Sequence, residues 1–333
     1  MRAVLCREFG PYENLTLEEV PPPDLPETGV RIATRAAGVS FATSLIVTGR
    51  YQRKPPLPFV PGTEVAGVVT ETGPGVTHVR PGDRVLASID WGGQAEEAVA
   101  LADGVHPMPD GMGFAEATTF PVSYATSYAA LVWKASLAEG ETLLVHGAAG
   151  AVGLAAVQIG KALGAEVIAT ASTGEKLELA RAHGADHAVN YTNQDLAPTV
   201  KYLTGERGAD VVFDPVGGEV TLASLRCLAR EGRLLTIGYA GGAIPEIPAN
   251  LLLVKNLSVI GLNYGTYLGW SPGDNRALFA PRVAELQHRL AELHTAGHLR
   301  PFVSHRFRLE DFQAAMRTVL ARRALGKVVL EMA

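Results

Sequence analysis

The chain has 333 residues, a formal net charge of −5 and two cysteines, with 47% hydrophobic and 19% charged side chains. That length suits two domains with substantial cores. The acidic balance argues against a phosphate-neutralising nucleic-acid surface, and no apolar run reaches the length of a membrane span. Cys6 and Cys227 offer no disulfide framework, which fits a reducing cytoplasm, and the N-terminal M-R-A-V-L-C-R-E-F-G lacks the apolar core of a signal peptide.

Residues 1–122 are predicted to be β-rich. Valine runs are punctuated by turn signals at Gly29, Gly38, Gly62, Gly67, Gly73-Pro74-Gly75 and Pro81-Gly82-Asp83. Short strands at this spacing predict a compact, barrel-like domain. Pro121 marks a joint. From 123 to 263 strands alternate with helices: strands are expected at 143–146, 166–170, 210–214, 234–238 and 258–261, and helices at 151–163, 174–183 and 218–229. This alternation predicts an α/β domain, a doubly wound parallel sheet with helices on both faces. A long amphipathic helix is expected over 276–296. Strands at 302–308 and 327–331 then return to the first domain, which therefore comprises 1–122 and 264–333.

The stretch L-L-V-H-G-A-A-G-A-V-G-L, from Leu143 to Leu154, carries the strongest functional signal. An apolar strand runs into Gly147, Gly150 and Gly153, and a helix-period run follows. A strand that breaks at glycine and restarts as a helix points backbone N–H groups at one place, which suits a dinucleotide pyrophosphate. The spacing is G-x-x-G-x-x-G rather than G-x-G-x-x-G, and such turns also serve packing. Its place on the first of five alternating strands favours the dinucleotide.

The end of the second strand bears on which nucleotide. An acid there would hydrogen-bond a free ribose 2′-hydroxyl. Here the segment is A-T-A-S-T-G-E-K, with Ser172 at the tip and Lys176 four residues on. A hydroxyl plus a cation suits a 2′-phosphate, which an acid would repel, so NADPH is the expected cofactor. The alternative is that Ser172 caps the next helix and Lys176 is solvated on its first turn, with Glu175 beside it.

Three pieces together resemble the medium-chain dehydrogenase/reductase superfamily, and within it the zinc-independent quinone oxidoreductase (zeta-crystallin-like) branch. They are residues 61–85, P-G-T-E-V-A-G-V-V-T-E-T-G-P-G-V-T-H-V-R-P-G-D-R-V; the glycine turn with its flanks, 140–164; and D-V-V-F-D-P-V-G-G, 210–218. The similarity covers essentially the whole chain. It implies a GroES-like catalytic domain joined to a Rossmann domain, with the active site in the cleft between them, and a homodimer. The zinc dehydrogenases of this superfamily place a Cys where this chain has Ser40 and a His where it has Thr63, and neither replacement is a credible zinc ligand. His294 and His298, spaced i, i+4, are expected to be a solvated helix terminus rather than a metal pair, and Glu64 a structural residue.

Without zinc, hydride transfer to an already electrophilic acceptor is the expected chemistry, a quinone or a carbonyl-conjugated alkene. The resemblance puts Ser40 and Tyr51 at the nicotinamide end. Ser40 stands where these proteins often carry Asn, and Thr43 where they often carry an acid. The Tyr51 hydroxyl is a candidate donor to the acceptor oxygen; the alternative is a loop tyrosine packed in place. For the cofactor, the resemblance implies Thr126 at the nicotinamide, and Ala149, Gly150, Ala151 and Val152 over the pyrophosphate. Ser172, Lys176 and Tyr191 would surround the adenosine phosphate, and Gly238 and Tyr239 would line the nicotinamide ribose. Arg323 would reach the 2′-phosphate, or else be a surface arginine beside Arg322. An NADPH:quinone reductase is the leading expectation. An alkenal or enoyl-thioester double-bond reductase, or a non-catalytic NADPH-binding protein with a structural or RNA-binding role, are the alternatives.

Overall fold

The computed structural model describes residues 1–271 and 273–332. They fall into two compact units: Met1–Val122 with Tyr264–Thr295 and the chain from Pro301 onward, and Ser123–Asn263 with Ala296–Arg300. The first unit begins with an antiparallel pair, β1 (Arg2–Leu5) and β2 (Thr16–Glu19). It continues through β3 (Gly29–Val39), α1 (Phe41–Val47), β4 (Glu64–Thr72), β5 (Arg84–Ser88), β6 (Glu97–Leu101), β7 (Val105–Pro107) and the short α2 (Phe114–Ala117). The β-branched residues that suit a pleated, half-buried surface form its core: Val30, Ile32, Val65, Val69 and Val85 are all at most 1% exposed.

The second unit contains α3 (Ala125–Tyr128), β8 (Thr142–Val145), α4 (Ala151–Ala162), β9 (Glu166–Ala171), α5 (Gly174–Ala182) and β10 (His187–Asn190). There follow α6 (Leu196–Leu203), β11 (Ala209–Asp214), α7 (Glu219–Cys227), β12 (Leu228–Thr236), α8 (Ala249–Lys255) and β13 (Ser258–Gly261). The six strands form one parallel sheet in the order β10-β9-β8-β11-β12-β13. Every residue of β8 is buried, as a central parallel strand covered on both faces requires. From β8 the chain first builds outward through β9 and β10, then resumes on the other side at β11. The strand order therefore reverses between β8 and β11, where such sheets open a crevice at the carboxyl ends of their strands.

The chain then forms α9 (Arg276–Thr295), β14 (Val303–Arg308), α10 (Phe312–Leu320) and β15 (Lys327–Glu331), all in the first unit. The larger sheet of that unit runs β14-β15-β3-β4-β5-β7, with β6 also paired to β3. β15 lies antiparallel to β3 with Val328 opposite Val39. This register brings Lys327 to Glu64: its Nζ donates to Glu64 Oε2 at 2.5 Å, and both side chains are only 2% exposed. Several elements went unread in the sequence, among them β10, α6, α8 and α10, and β12 starts at Leu228 rather than near 234.

Candidate functional site

The second unit carries the expected cofactor residues other than Arg323, most of them just beyond the carboxyl ends of its strands. β8 ends at Val145, and the turn that follows is held by Gly147, whose φ of 57° lies in the left-handed region. α4 starts at once after it. A Cβ on Gly153 would come within 2.2 Å of the Gly147 carbonyl oxygen, so only glycine lets the helix pack this close to the turn. The N-cap of α4 is Gly150, which brings no side-chain acceptor to the first-turn amides. Those amides, with the positive end of the helix dipole, are left to meet an anion. Thr126 is buried in α3, and the neighbouring Ser127 hydroxyl donates to Val152 O at 2.7 Å. The segment carrying Thr126 is thereby tied to the first turn of α4.

A fully buried polar network lies under the turn. His146, 1% exposed, meets Thr170 Oγ1 at 2.8 Å through Nδ1 and Ser224 Oγ at 2.7 Å through Nε2. The Ser224 hydroxyl donates onward to Val220 O at 2.7 Å. That assigns the neutral tautomer with hydrogen on Nε2, so that Thr170 donates to Nδ1. Burial holds the imidazole well below its ordinary pKa, against the opposing pull of Asp214. Asp214 in turn accepts from Val216 N at 2.8 Å, Gly217 N at 3.0 Å and Thr221 Oγ1 at 2.5 Å, which fixes the loop after β11. The network joins the tips of β8, β9 and β11 to α7. Sequence reading passed over His146 and Asp214. Their signal was a polar residue closing an otherwise apolar strand, in L-L-V-H-G and V-V-F-D-P.

The other cofactor candidates lie on neighbouring strand ends. β9 stops at Ala171, in register with Asn190 of β10, so Ser172 and Tyr191 emerge side by side. Thr173, not Ser172, caps α5, accepting from Lys176 N at 3.4 Å. Lys176 is on the first turn of that helix and Tyr191 is 48% exposed. On the far side, Gly238 and Tyr239 follow β12. The Tyr239 ring packs where a side chain on Gly217 would be, 2.7 Å from its Cβ position.

The remaining candidates belong to the first unit. Ser40 caps α1, accepting from Thr43 N at 3.4 Å, with the two hydroxyls 3.2 Å apart. Tyr51 follows α1, its amide held by Leu45 O at 3.0 Å and its ring packed on the core of the first unit. Desolvation raises its phenol pKa, against a hydrogen bond from Gln52, so it stays protonated and able to donate at neutral pH. Two residues on, Arg53 pairs with Asp90 at 2.9 Å and lies 4.9 Å over the Trp91 ring. Arg323 is exposed just beyond α10. His294 packs edge-on against Phe120, ring centroids 5.9 Å apart, and His298 is exposed.

Comparison with known proteins matches residues 26–127 to the alcohol dehydrogenase GroES-like domain and residues 151–280 to the zinc-binding dehydrogenase family. Quinone oxidoreductase-like protein 2 of Rattus norvegicus is 38% identical over 332 residues, spanning 99% of this chain and 92% of its own. The chain belongs to the zinc-independent quinone oxidoreductase branch of the medium-chain dehydrogenase/reductase superfamily. Among solved structures, the Escherichia coli quinone oxidoreductase complexed with NADPH superposes with a TM-score of 0.89 at 30% identity, covering 99% of this chain and all of the other. The quinone oxidoreductase of Thermus thermophilus, also solved with NADPH, gives 0.83 at 34%, covering 99% of this chain and all of the other. The two units are thus the GroES-like and Rossmann domains of this superfamily. The protein is an oxidoreductase with an NAD(P)-type cofactor.

The Rossmann domain fits that cofactor, given the uncapped glycine turn and the crevice between β8 and β11. Zinc, which the name of the matched dehydrogenase family implies, does not fit the donor set. Ser40 and Thr63 are hydroxyls, and the Glu64 carboxylate is already neutralised by Lys327. Among the described residues, no group of three or more His, Cys, Asp or Glu side chains is placed to hold a metal.

Proposed function

We propose that this oxidoreductase is an NADPH:quinone reductase that works without zinc. The observation that carries the nucleotide choice is the end of β9. No acid stands at the strand tip, Thr173 does the capping, and Ser172 with Lys176 brings a hydroxyl and a cation to that end, a pair that suits a 2′-phosphate. The resemblance to NADPH-complexed quinone oxidoreductases supports the same reading. When bound, NADPH supplies the hydride. The protein's own work is then to bind and orient: the first-turn amides of α4, from Ala151 to Gly153, meet the pyrophosphate, and Thr126 and Gly238–Tyr239 meet the nicotinamide side. On the family resemblance, Tyr51 is the proposed donor to the acceptor oxygen and Ser40 the second candidate for that role, and Arg323 is proposed to add charge at the 2′-phosphate. Two buried, unpaired thiols, Cys6 and Cys227, support a cytoplasmic location.

The test is steady-state NADPH oxidation with a panel of quinones, enals and enoyl thioesters. Quinone turnover at the highest kcat/KM supports the reading. Preference for enals or enoyl thioesters replaces it with a double-bond reductase, and tight NADPH binding without any turnover replaces it with a binding protein. The same preparation should contain no stoichiometric zinc, and chelator should leave the rate unchanged. One tightly held zinc per chain, required for activity, would overturn the metal-free mechanism.

A further inference from the structure

The GroES-like domain holds a second concavity, distinct from every residue assigned above to cofactor or acceptor. It is a cavity of about 180 Å³, bounded by the ends of β5 and β6, residues 103 and 104, and Tyr267, Leu268, Trp270, Arg276, Ala280 and Val283. A dry cavity of about 150 Å³ accommodates benzene, so there is room here for one ring. Three aromatic side chains line it, Trp91, Tyr267 and Trp270, and Trp270 is buried.

The charges of the lining do not cancel. Arg276 is 15% exposed and already committed to two carboxylates: its Nη2 lies 3.0 Å from Asp90 Oδ1 and its Nε 2.7 Å from Asp274 Oδ2. Asp90 is shared with Arg53. Asp103 also lines the cavity, and its carboxylate accepts a hydrogen bond from its own backbone amide. Burial raises its pKa, with Asp274 and Asp90 adding to the rise and Arg276 opposing it. Counting Asp274 and Arg53, which pair with lining charges without lining the cavity themselves, three carboxylates meet two guanidiniums, with the excess negative charge on Asp103. An anion gains nothing here, because the arginines are occupied. A cation gains a partner for a half-buried carboxylate and aromatic faces for its body.

We propose that this cavity binds a small organic cation of about one ring in bulk, with its ammonium on Asp103 and its apolar body against Trp91 and Trp270. The site backs onto the segment carrying Tyr51, because Trp91 is also the ring beneath Arg53.

Two of the chain's three tryptophans line the cavity, so intrinsic fluorescence reports on it directly. The full-length protein, without nucleotide, is titrated with benzylammonium, with benzyl alcohol and with benzoate. The proposal expects a saturable change with benzylammonium, binding at least ~10-fold more tightly than benzyl alcohol, and no response to benzoate. Asp103→Asn should abolish that preference while NADPH affinity stays as in wild type. Ala280→Phe, which fills the cavity, should abolish binding of both rings. No saturable change, equal affinity for amine and alcohol, or an unaltered preference in Asp103→Asn would each overturn the proposal. If Asp103→Asn does not fold, the wild-type comparison and Ala280→Phe still decide. NADPH titration in the same samples reads the cofactor assignment separately.

Discussion

Lys176 and His146 show two ways in which one residue of the Rossmann domain bears on function. Lys176 is proposed to act by charge. A charge-assisted contact to the 2′-phosphate contributes roughly 1.5–3 kcal/mol. Lys176→Ala should therefore weaken NADPH binding by about ten- to a hundredfold and leave NADH binding nearly unchanged. Paired fluorescence titrations of wild type and variant check this. Equal loss for both nucleotides would make Lys176 structural, and a wild type that prefers NADH would undo the reading of the β9 end. His146 acts instead by staying neutral. Its folded pKa lies below the ordinary value of about 6.5, as do those of His183 and His106, the last pushed down to about 4 by burial. Between pH 4 and 6.5 the unfolded chain therefore binds more protons than the folded one. The stability these groups contribute is fully present above about pH 6.5 and drains away as pH falls. Each contributes at most ~1.4 kcal/mol per pH unit. Urea-unfolding series from about pH 7 to 5 should show a shallower pH slope in His146→Gln than in wild type. An unchanged slope would remove His146 from the acid response.

At the scale of elements, the patterns visible in the sequence were those fixed by burial on both faces. β8, β9 and β11 are apolar runs ending in a turn signal, and α4 and α9 carry long helical periods, so their identities were legible. β10 is four residues long at the sheet edge, with only Val189 buried, so it carries no alternation to read. α6 has Pro198 in its first turn, tolerated there because first-turn amides have no intrahelical acceptor. α8 reads as an apolar run, A-N-L-L-L-V-K, yet Leu253 and Val254 are 79% and 72% exposed, so its hydrophobicity does not report burial within one chain. The partner of Glu64 was also out of reach, because Lys327 is 263 positions away and only the β15–β3 register brings them together. This pair makes its own prediction. Removing one partner of a buried ion pair costs about 3–5 kcal/mol, while replacing both by apolar groups is often neutral. Lys327→Met should lower the urea midpoint strongly, and adding Glu64→Leu should recover most of the loss. A mild effect of the single change would mean that solvent reaches Glu64 readily.

For the whole molecule, the remaining question is what covers the outer strand of the Rossmann sheet. β13 is an edge strand, paired among the described residues with β12 alone, and its ends Ser258 and Gly261 are exposed. An open edge invites pairing with another chain. α8, two residues before β13, presents Leu253 and Val254 to solvent. We propose a homodimer in which two β13 edges pair about a two-fold axis, so that each chain offers the other the same surface. Burying one such side chain contributes roughly 1.5–3 kcal/mol, so burying both residues of both chains reaches ~6–12 kcal/mol. Loss of translational and rotational freedom costs about 4–15 kcal/mol, comparable to that gain, so removing these side chains should dissociate the dimer. Light scattering at micromolar concentration should give about twice the 35.1 kDa of one chain. Leu253→Lys combined with Val254→Lys changes only exposed positions, so it should give the single-chain mass with a normal far-UV spectrum. A wild type of single-chain mass would rule the dimer out, and a double variant that stays dimeric would move the interface away from α8.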